Sequence, residues 1–343
     1  MSEIGVNKLF FHPQKMKKLM DTAGAGKFEI DLSYPVSVEL SLTNRCNLKC
    51  VWCVDWHLRK KDKKELDFKA LKNLILDLEA GGTRGITIEG GGEPTLYKHF
   101  NELMKFISKV KIKFGLITNG ILIPYYNYVD RFEWIRVSLD VDSEDNYAKY
   151  KGGKRSDYNL IFKNLEKLVE KANKKTVIGV SYIATKHNMD NIISVIKKVK
   201  NAGADYFYIR PVEDHADLLP KPEEMEGLEK YGNKNFKVLV NYGERIERGN
   251  AGLPCIAHSL SSVISADGSV YLCGRLHIHP EWSPIGNCDK LTFSEIWKSS
   301  ARKKQAAKVY NIDFTTKYCP VCRMTKFNKE LFDLKNIKTI NFL

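Results

Sequence analysis

The stretch Val36-Ser-Val-Glu-Leu-Ser-Leu-Thr-Asn-Arg-Cys46-Asn-Leu-Lys-Cys50-Val-Trp-Cys53 decides the fold. Val36, Val38, Leu40 and Leu42 alternate with polar residues, the period-2 pattern of a strand with one buried face. The alternation ends at Thr43, and three cysteines follow within eight residues of loop. Chemistry-bearing residues directly after a strand belong to the carboxyl edge of a sheet, where α/β folds bind their ligands.

The pattern repeats downstream. Phe68, Leu71, Leu74, Ile75 and Leu78 have helical spacing, and Gly81-Gly82 stops that helix. Strands are expected at Gly85–Glu89, Phe114–Thr118, Trp134–Leu139, Val177–Ala184 and Tyr206–Arg210. Helices are expected around Phe100–Val110, Leu160–Val169 and Ile192–Val199. Strands separated by helices imply βαβ units and a parallel sheet. About six units fit between Pro35 and Pro211, which predicts a partial, open (β/α)6 TIM-like barrel rather than a closed eight-unit one.

On either side the pattern changes. Residues 1–34 read as a short basic leader with Gly24 and Gly26 near a turn. Residues 35–211 form the barrel. Residues 212–252 read as a connector with one or two helices, an acidic patch (Glu213, Asp214, Asp217, Glu223, Glu224, Glu226) and a Gly249-Asn250 turn. Residues 253–343 form a small domain. It holds a hairpin, Ser261–Ser265 and Ser269–Cys273 about the turn Ala266-Asp267-Gly268, and a helix from Ser294 to about Ala307.

Bulk composition narrows the setting. No apolar run is long enough to span a bilayer, and no apolar h-region follows the N-terminus, so a cytoplasmic protein with no membrane partner is expected. The net charge of +14 could attract an anionic partner. The lysines are scattered and not interleaved with aromatics, so solvated helix faces are the simpler explanation, and no nucleic acid is expected. Seven of the eight cysteines fall into two spaced groups, which points to metal rather than disulfides.

Cys46, Cys50 and Cys53 supply three thiolates to one centre. Iron–sulfur clusters take four ligands, so three leave one iron open to another molecule. A structural zinc site would be closed by a fourth ligand, with His57 the candidate, but Cys-x3-Cys-x2-Cys is not a usual zinc spacing. That spacing after a first strand resembles the signature of the radical S-adenosylmethionine (SAM) superfamily, in which SAM chelates the open iron of a [4Fe–4S] cluster. Gly91-Gly92-Glu93-Pro94 after the second strand resembles the family motif that holds the SAM amino group. Glycines permit close backbone approach, and a carboxylate accepts from an ammonium. Gly90 stands where the family often has a hydroxyl residue. Thr118-Asn119 and Ser138-Leu139-Asp140, at the ends of strands three and four, resemble segments near the ribose and methionyl groups. Both also suit plain turn chemistry. Trp52 matches an aromatic position that packs on adenine, or else fills the core.

Cys255, Cys273, Cys319 and Cys322 make a four-thiolate set that suits a cluster or Zn²⁺. A thioredoxin-like reading of Cys319-x2-Cys322 is weaker, since no strand leads into it. With the hairpin, Ile285-Gly-Asn and Glu295-Ile-Trp297, the set resembles the twitch domain. That shortened SPASM domain carries one auxiliary [4Fe–4S] cluster. The resemblance spans about residues 35–340 and implies two clusters, SAM, and a one-electron donor such as flavodoxin or ferredoxin. It also implies a 5′-deoxyadenosyl radical that takes a hydrogen atom from substrate.

Three fates of the substrate radical follow. The first expectation is an oxidoreductase of the dehydrogenase type. It would act on a small polar molecule such as a sugar, aminocyclitol or nucleotide sugar, with the auxiliary cluster accepting an electron. Arg210 would then bind or deprotonate the hydroxyl, or simply pair with Glu213. The second is epimerisation with Cys288 as hydrogen donor, against the simpler reading of Cys288 as a small buried hydrophobe. The third is peptide modification. Only about thirty residues precede the first strand, too few for the peptide-binding domain that such relatives often carry, which favours a small molecule. Tyr97, Tyr208 and His277 are further pocket candidates by position. A non-enzymatic iron–sulfur electron carrier would leave Gly91–Pro94 and Ser138 without purpose.

Overall fold

The computed structural model describes residues 6–21, 30–124, 126–213, 215–241, 252–279, 281–319 and 322–335. Asp214, Gly24, Gly26 and the Gly249-Asn250 turn lie outside the described residues. The chain divides into two compact units, and two of the boundaries between them fall within the first two strands.

The first unit, residues 40–68 and 86–244, is the barrel. Its strands run in the order β1 (Ser37–Leu40), β2 (Gly85–Ile88), β3 (Lys113–Thr118), β4 (Phe132–Ser138), β5 (Val177–Ala184), β6 (Tyr206–Pro211) and β7 (Lys237–Val240). Each pair from β3 to β7 is parallel. The two faces of β4 show why the strand sits where it does. Ile135 and Val137 are buried, whereas Trp134, Arg136 and Ser138 are only partly covered. Alternate residues point to opposite faces, so one row joins the core and the other lines the concave side. Helices Phe100–Ile107, Arg155–Ala172 and Ile192–Asn201 bury Leu103, Ile107, Ile161, Leu165, Leu168, Val195 and Val199. Each such side chain contributes about 1.5–3 kcal/mol on burial.

Most elements fall where the sequence pattern places them, and β5 matches to the residue. Two differ. The connector holds short 3-10 helices (Ala216–Leu218, Pro222–Glu224, Leu228–Tyr231) and, beyond what is expected, a seventh strand, β7. Its Phe236 and Val238 are buried, and Lys237, Val238, Leu239 and Val240 register with Tyr206–Ile209. The helix expected from Ser294 is two helices, Phe293–Lys298 and Ser300–Val309. They meet at Ser299, whose extended backbone (ψ 158°) ends the first and whose side chain accepts from Arg302 N–H to cap the second.

The second unit contains the described residues among 1–39, 69–85 and 245–343. Its strands run β10 (Gly286–Asn287), β9 (Ser269–Tyr271), β8 (Ser261–Ile264), with both pairings antiparallel. The segment read as a leader contributes to this core. Leu9 and Leu19 pack with Ile256, Ala257, Leu260 and Leu331.

Candidate active site

The loop after β1 is held from three sides. Lys49 N–H donates to Lys151 C=O at 2.8 Å and Val51 N–H to Tyr150 C=O at 3.0 Å. Lys151 Nζ is buried and donates to Asp140 Oδ2 at 2.7 Å and to Ser138 C=O at 3.2 Å. Asp140 Oδ1 accepts from Ile183 N–H at 2.9 Å, and its backbone has φ 56°. Asp140 is thus placed to hold Lys151, and through it the cysteine loop. Each carboxylate oxygen of Asp140 accepts one of these bonds.

The glycines serve a related purpose. A Cβ on Gly92 would meet Arg45 C=O at 1.9 Å, and Gly91 has φ 59°. Gly92 N–H donates to Thr43 C=O at 2.7 Å and Glu93 N–H to Arg45 C=O at 2.8 Å. The backbone these glycines let in is therefore the cysteine loop's own stem, in addition to any ligand. Gly91 N–H donates to Asp55 Oδ2 at 3.1 Å.

Glu93 is buried and joins three segments. Its Oε1 accepts from Thr118 Oγ1 at 2.7 Å and from Thr95 Oγ1 at 2.8 Å, and its Oε2 accepts from Asn119 N–H at 2.7 Å. Asn119 Nδ2 in turn donates to Asn47 Oδ1, inside the cysteine loop, at 2.7 Å. A carboxylate offers about four lone-pair sites. Oε1 takes both hydroxyl donors, and Oε2, with the one backbone donor, has a lone-pair site left over among the described residues. Burial raises the Glu93 carboxyl above its ordinary range, against these hydrogen bonds.

The three thiols are close enough to feel one another. Burial raises Cys46, with the Arg59 charge opposing. Burial and then the Asp55 charge push Cys53 up to about 11, again against Arg59. Arg59, from the helix Trp56–Lys61, escaped the sequence reading because a surface arginine is the ordinary expectation in a Lys-rich hexamer. It is 5% exposed, and its Nη1 lies 3.4 Å from Cys53 Sγ. Lys151 and Tyr150 also went unnoticed, for nothing in local spacing ties residue 150 to residue 51.

Trp52 is buried and stacks on Tyr150 at 5.6 Å, and Tyr150 stacks on His187 at 5.5 Å. Ser138 Oγ lies 3.4 Å from Ser181 Oγ across the β4–β5 register. Arg210 Nη1 stands 3.5 Å from Glu213 Oε1, the pairing foreseen as the plain reading. A guanidinium stays protonated in proteins, so Arg210 can bind a substrate oxygen but not deprotonate it. On the concave face Arg136 is held by the rings of Trp134 and Tyr208 (5.2 and 5.3 Å) and by Tyr206 Oη at 3.1 Å. Tyr97 and Tyr208 are both buried. Tyr97 donates to Leu66 C=O at 2.8 Å, and Tyr208 Oη accepts from Asn241 Nδ2 at 3.0 Å. His57, half-buried, bonds through Nδ1 to Val54 C=O at 3.2 Å.

In the second unit, Asn328 clamps the Cys255 turn. Its Oδ1 accepts from Ile256 N–H and Ala257 N–H at 2.6 and 3.0 Å, and its Nδ2 donates to Pro254 C=O at 2.9 Å. Cys273 caps the helix Gly274–Ile278, and Cys319 ends the helix Ile312–Tyr318. Met324 N–H lies 3.4 Å from Cys322 Sγ. Burial raises Cys255 well above the usual thiol range, and the charges of Cys322, Cys273 and Cys319 add to it. Cys273 is pushed up to about 11 and Cys319 to about 12, both chiefly by burial. Among the described residues no three His, Cys, Asp or Glu side chains stand at single-ion spacing. A four-iron cluster takes one thiolate per iron, which fits each cysteine set on its own, since its members feel one another's charge without crowding one point. Bound iron would supply the positive charge that such thiolates need. Cys288 is half-buried outside this set, its thiol pushed up to about 12 by burial and by the Asp289 and Asp77 charges. His277 is buried with its ring edge on Tyr271.

Comparison with known proteins agrees with both halves. Residues 40–199 match the radical SAM superfamily, and residues 255–324 match SPASM, an iron–sulfur cluster-binding domain. The mycofactocin maturase MftC of Mycolicibacterium smegmatis is 26% identical over 303 residues, covering 80% of this chain and 73% of its own. A cofactor-modifying protein for the tungsten-containing aldehyde ferredoxin oxidoreductase of Pyrococcus furiosus is 24% identical, covering 76% of this chain and 80% of its own. The crystal structure of Streptococcus suis SuiB bound to precursor peptide SuiA superposes with a TM-score of 0.64 at 17% identity. It covers 87% of this chain and 71% of that one, which shows a shared fold.

Proposed function

Because this chain is a radical SAM enzyme with a C-terminal iron–sulfur cluster-binding domain, we propose that its substrate is a peptide and its reaction a modification of that peptide. The observation that carries this reading is the likeness to a maturase over 80% of the chain. It displaces the small-molecule dehydrogenase from first place. A short stretch before β1 is a weaker argument than a match over most of the chain. SuiB, with its precursor peptide, shares the fold and leaves room for the same kind of substrate.

In this reading Cys46, Cys50 and Cys53 hold the first [4Fe–4S] cluster, and Cys255, Cys273, Cys319 and Cys322 hold the second. A reduced cluster with SAM supplies homolysis of a carbon–sulfur bond and a carbon radical that removes hydrogen from substrate. The chain's own share is placement. Gly91, Gly92, the free lone pair of Glu93, Thr118, Asn119 and Ser138 sit at the strand ends beside the cysteine loop, where they take the SAM polar groups. Trp52 covers the adenine side. Arg210 binds a substrate oxygen, and the ring-bracketed Arg136 forms a floor to the concave face. A one-electron donor of the flavodoxin or ferredoxin kind completes the system.

The test is anaerobic reconstitution followed by SAM and dithionite, with synthetic peptide libraries in one arm and sugars, aminocyclitols and nucleotide sugars in the other. Mass spectrometry follows 5′-deoxyadenosine and each candidate. Peptide-dependent 5′-deoxyadenosine, with a mass change in a peptide, supports the proposal. Stimulation by a small molecule alone, with loss of two hydrogens from it, returns the dehydrogenase to first place.

A further inference from the structure

We propose that Arg59 is a positioning residue that raises the reduction potential of the first cluster by hydrogen-bonding a ligand sulfur. The inference rests on Cys46, Cys50 and Cys53 holding a cluster; in the structure Cys53 Sγ stands for the ligating thiolate. Arg59 Nη1 lies 3.4 Å from that sulfur. Its Nη2 donates to Leu48 C=O, inside the same loop, which fixes the guanidinium plane. Its Nε is buried and makes no hydrogen bond among the described residues. The face of Trp56, 5.6 Å away, backs the group.

The chemistry follows from burial. Arg59 is 5% exposed, so water screens its charge poorly. A permanent cation beside three thiolates favours whichever cluster state carries more negative charge, and that is the reduced one. Hydrogen bonds to cluster sulfurs and net local charge both set such potentials. Lys151 also feels Cys50, but its ammonium is bonded to Asp140 and Ser138. Arg59 alone among the described side chains donates to a sulfur of the first group.

The experiment compares reconstituted wild-type protein with Arg59→Gln and Arg59→Lys, by redox titration monitored by electron paramagnetic resonance. Iron content and far-ultraviolet circular dichroism confirm loading and fold. Arg59→Gln is expected to disfavour reduction of the first cluster at least about tenfold, a shift of about 59 mV to lower potential. Arg59→Lys keeps the charge but not the planar fork and falls between. The second cluster is the internal control and does not move. An unmoved first midpoint in loaded variants overturns the proposal. So does failure of both folded variants to load, since a tuning residue is dispensable for assembly. Absence of a cluster from the wild-type first site instead refutes the reading under Proposed function.

Discussion

Two buried groups decide most at the residue scale. The Lys151–Asp140 pair has side chains 3% and 5% exposed and ties the ends of β4 and the cysteine loop together. Removing one partner leaves an uncompensated buried charge, which costs about 3–5 kcal/mol. Lys151→Met is expected to lose that much in urea unfolding of the apo-protein. Lys151→Met with Asp140→Asn should recover part of it, because asparagine tolerates the left-handed backbone at 140. Cys288 makes a different prediction. With its thiol at about 12, roughly one in ten thousand is ionised at pH 8. Peptide-resolved alkylation by iodoacetamide should therefore be at least a hundredfold slower at Cys288 than in a free cysteine peptide. The rate should climb about tenfold per pH unit toward pH 11, and Asp289→Asn should speed it. The sign follows from the raised pKa, since the reactive thiolate appears only above it. Fast alkylation at pH 8 would mean an exposed, reactive thiol. Slow alkylation leaves Cys288 as the small buried hydrophobe of the simpler reading.

At the scale of elements, the turn at Cys255 depends on a helix seventy residues away. Asn328, on the helix Thr325–Lys335, makes three hydrogen bonds to the backbone of 254–257. Asn328→Ala strands buried backbone groups at about 1–3 kcal/mol each. The expected outcome is a drop of several kcal/mol in the second unit's stability and faster loss of iron from the second site to a chelator, with iron at the first site retained. Equal loss from both sites would remove Asn328 from that role. The strand β7 carries the complementary lesson. Phe236-Lys-Val-Leu-Val is apolar and β-branched enough to read as a strand, but Pro220, Pro222 and the surrounding acidic residues drew the reading toward a helical connector. What makes it a strand is the free edge of β6, which local propensity does not show.

For the whole molecule, the two cysteine sets lie in separate compact units, each with its own supports. Cys319→Ser with Cys322→Ser should halve the iron bound on reconstitution and abolish peptide modification. Slow, substrate-independent 5′-deoxyadenosine formation should persist, because the first site needs only Cys46, Cys50 and Cys53. Loss of both iron sets would show that the units assemble as one. No helix among the described residues is long and apolar enough to cross a membrane.

The sequence by itself determined the order of strands and helices, the partial parallel barrel, the two cysteine sets and the glycine-rich turn. These follow from spacings of a few residues, where periodicity and ligand geometry act locally. It also marked Glu93, Thr118 and Asn119 without showing that they bond to one another. Only the tertiary structure decided what Asp140 does, that Arg59 reaches Cys53, that Trp52 stacks on Tyr150 and that residues 6–21 join the cluster unit. The reason is physical. A buried charge or ring takes its meaning from the groups that replace water around it, and those groups come from distant parts of the chain.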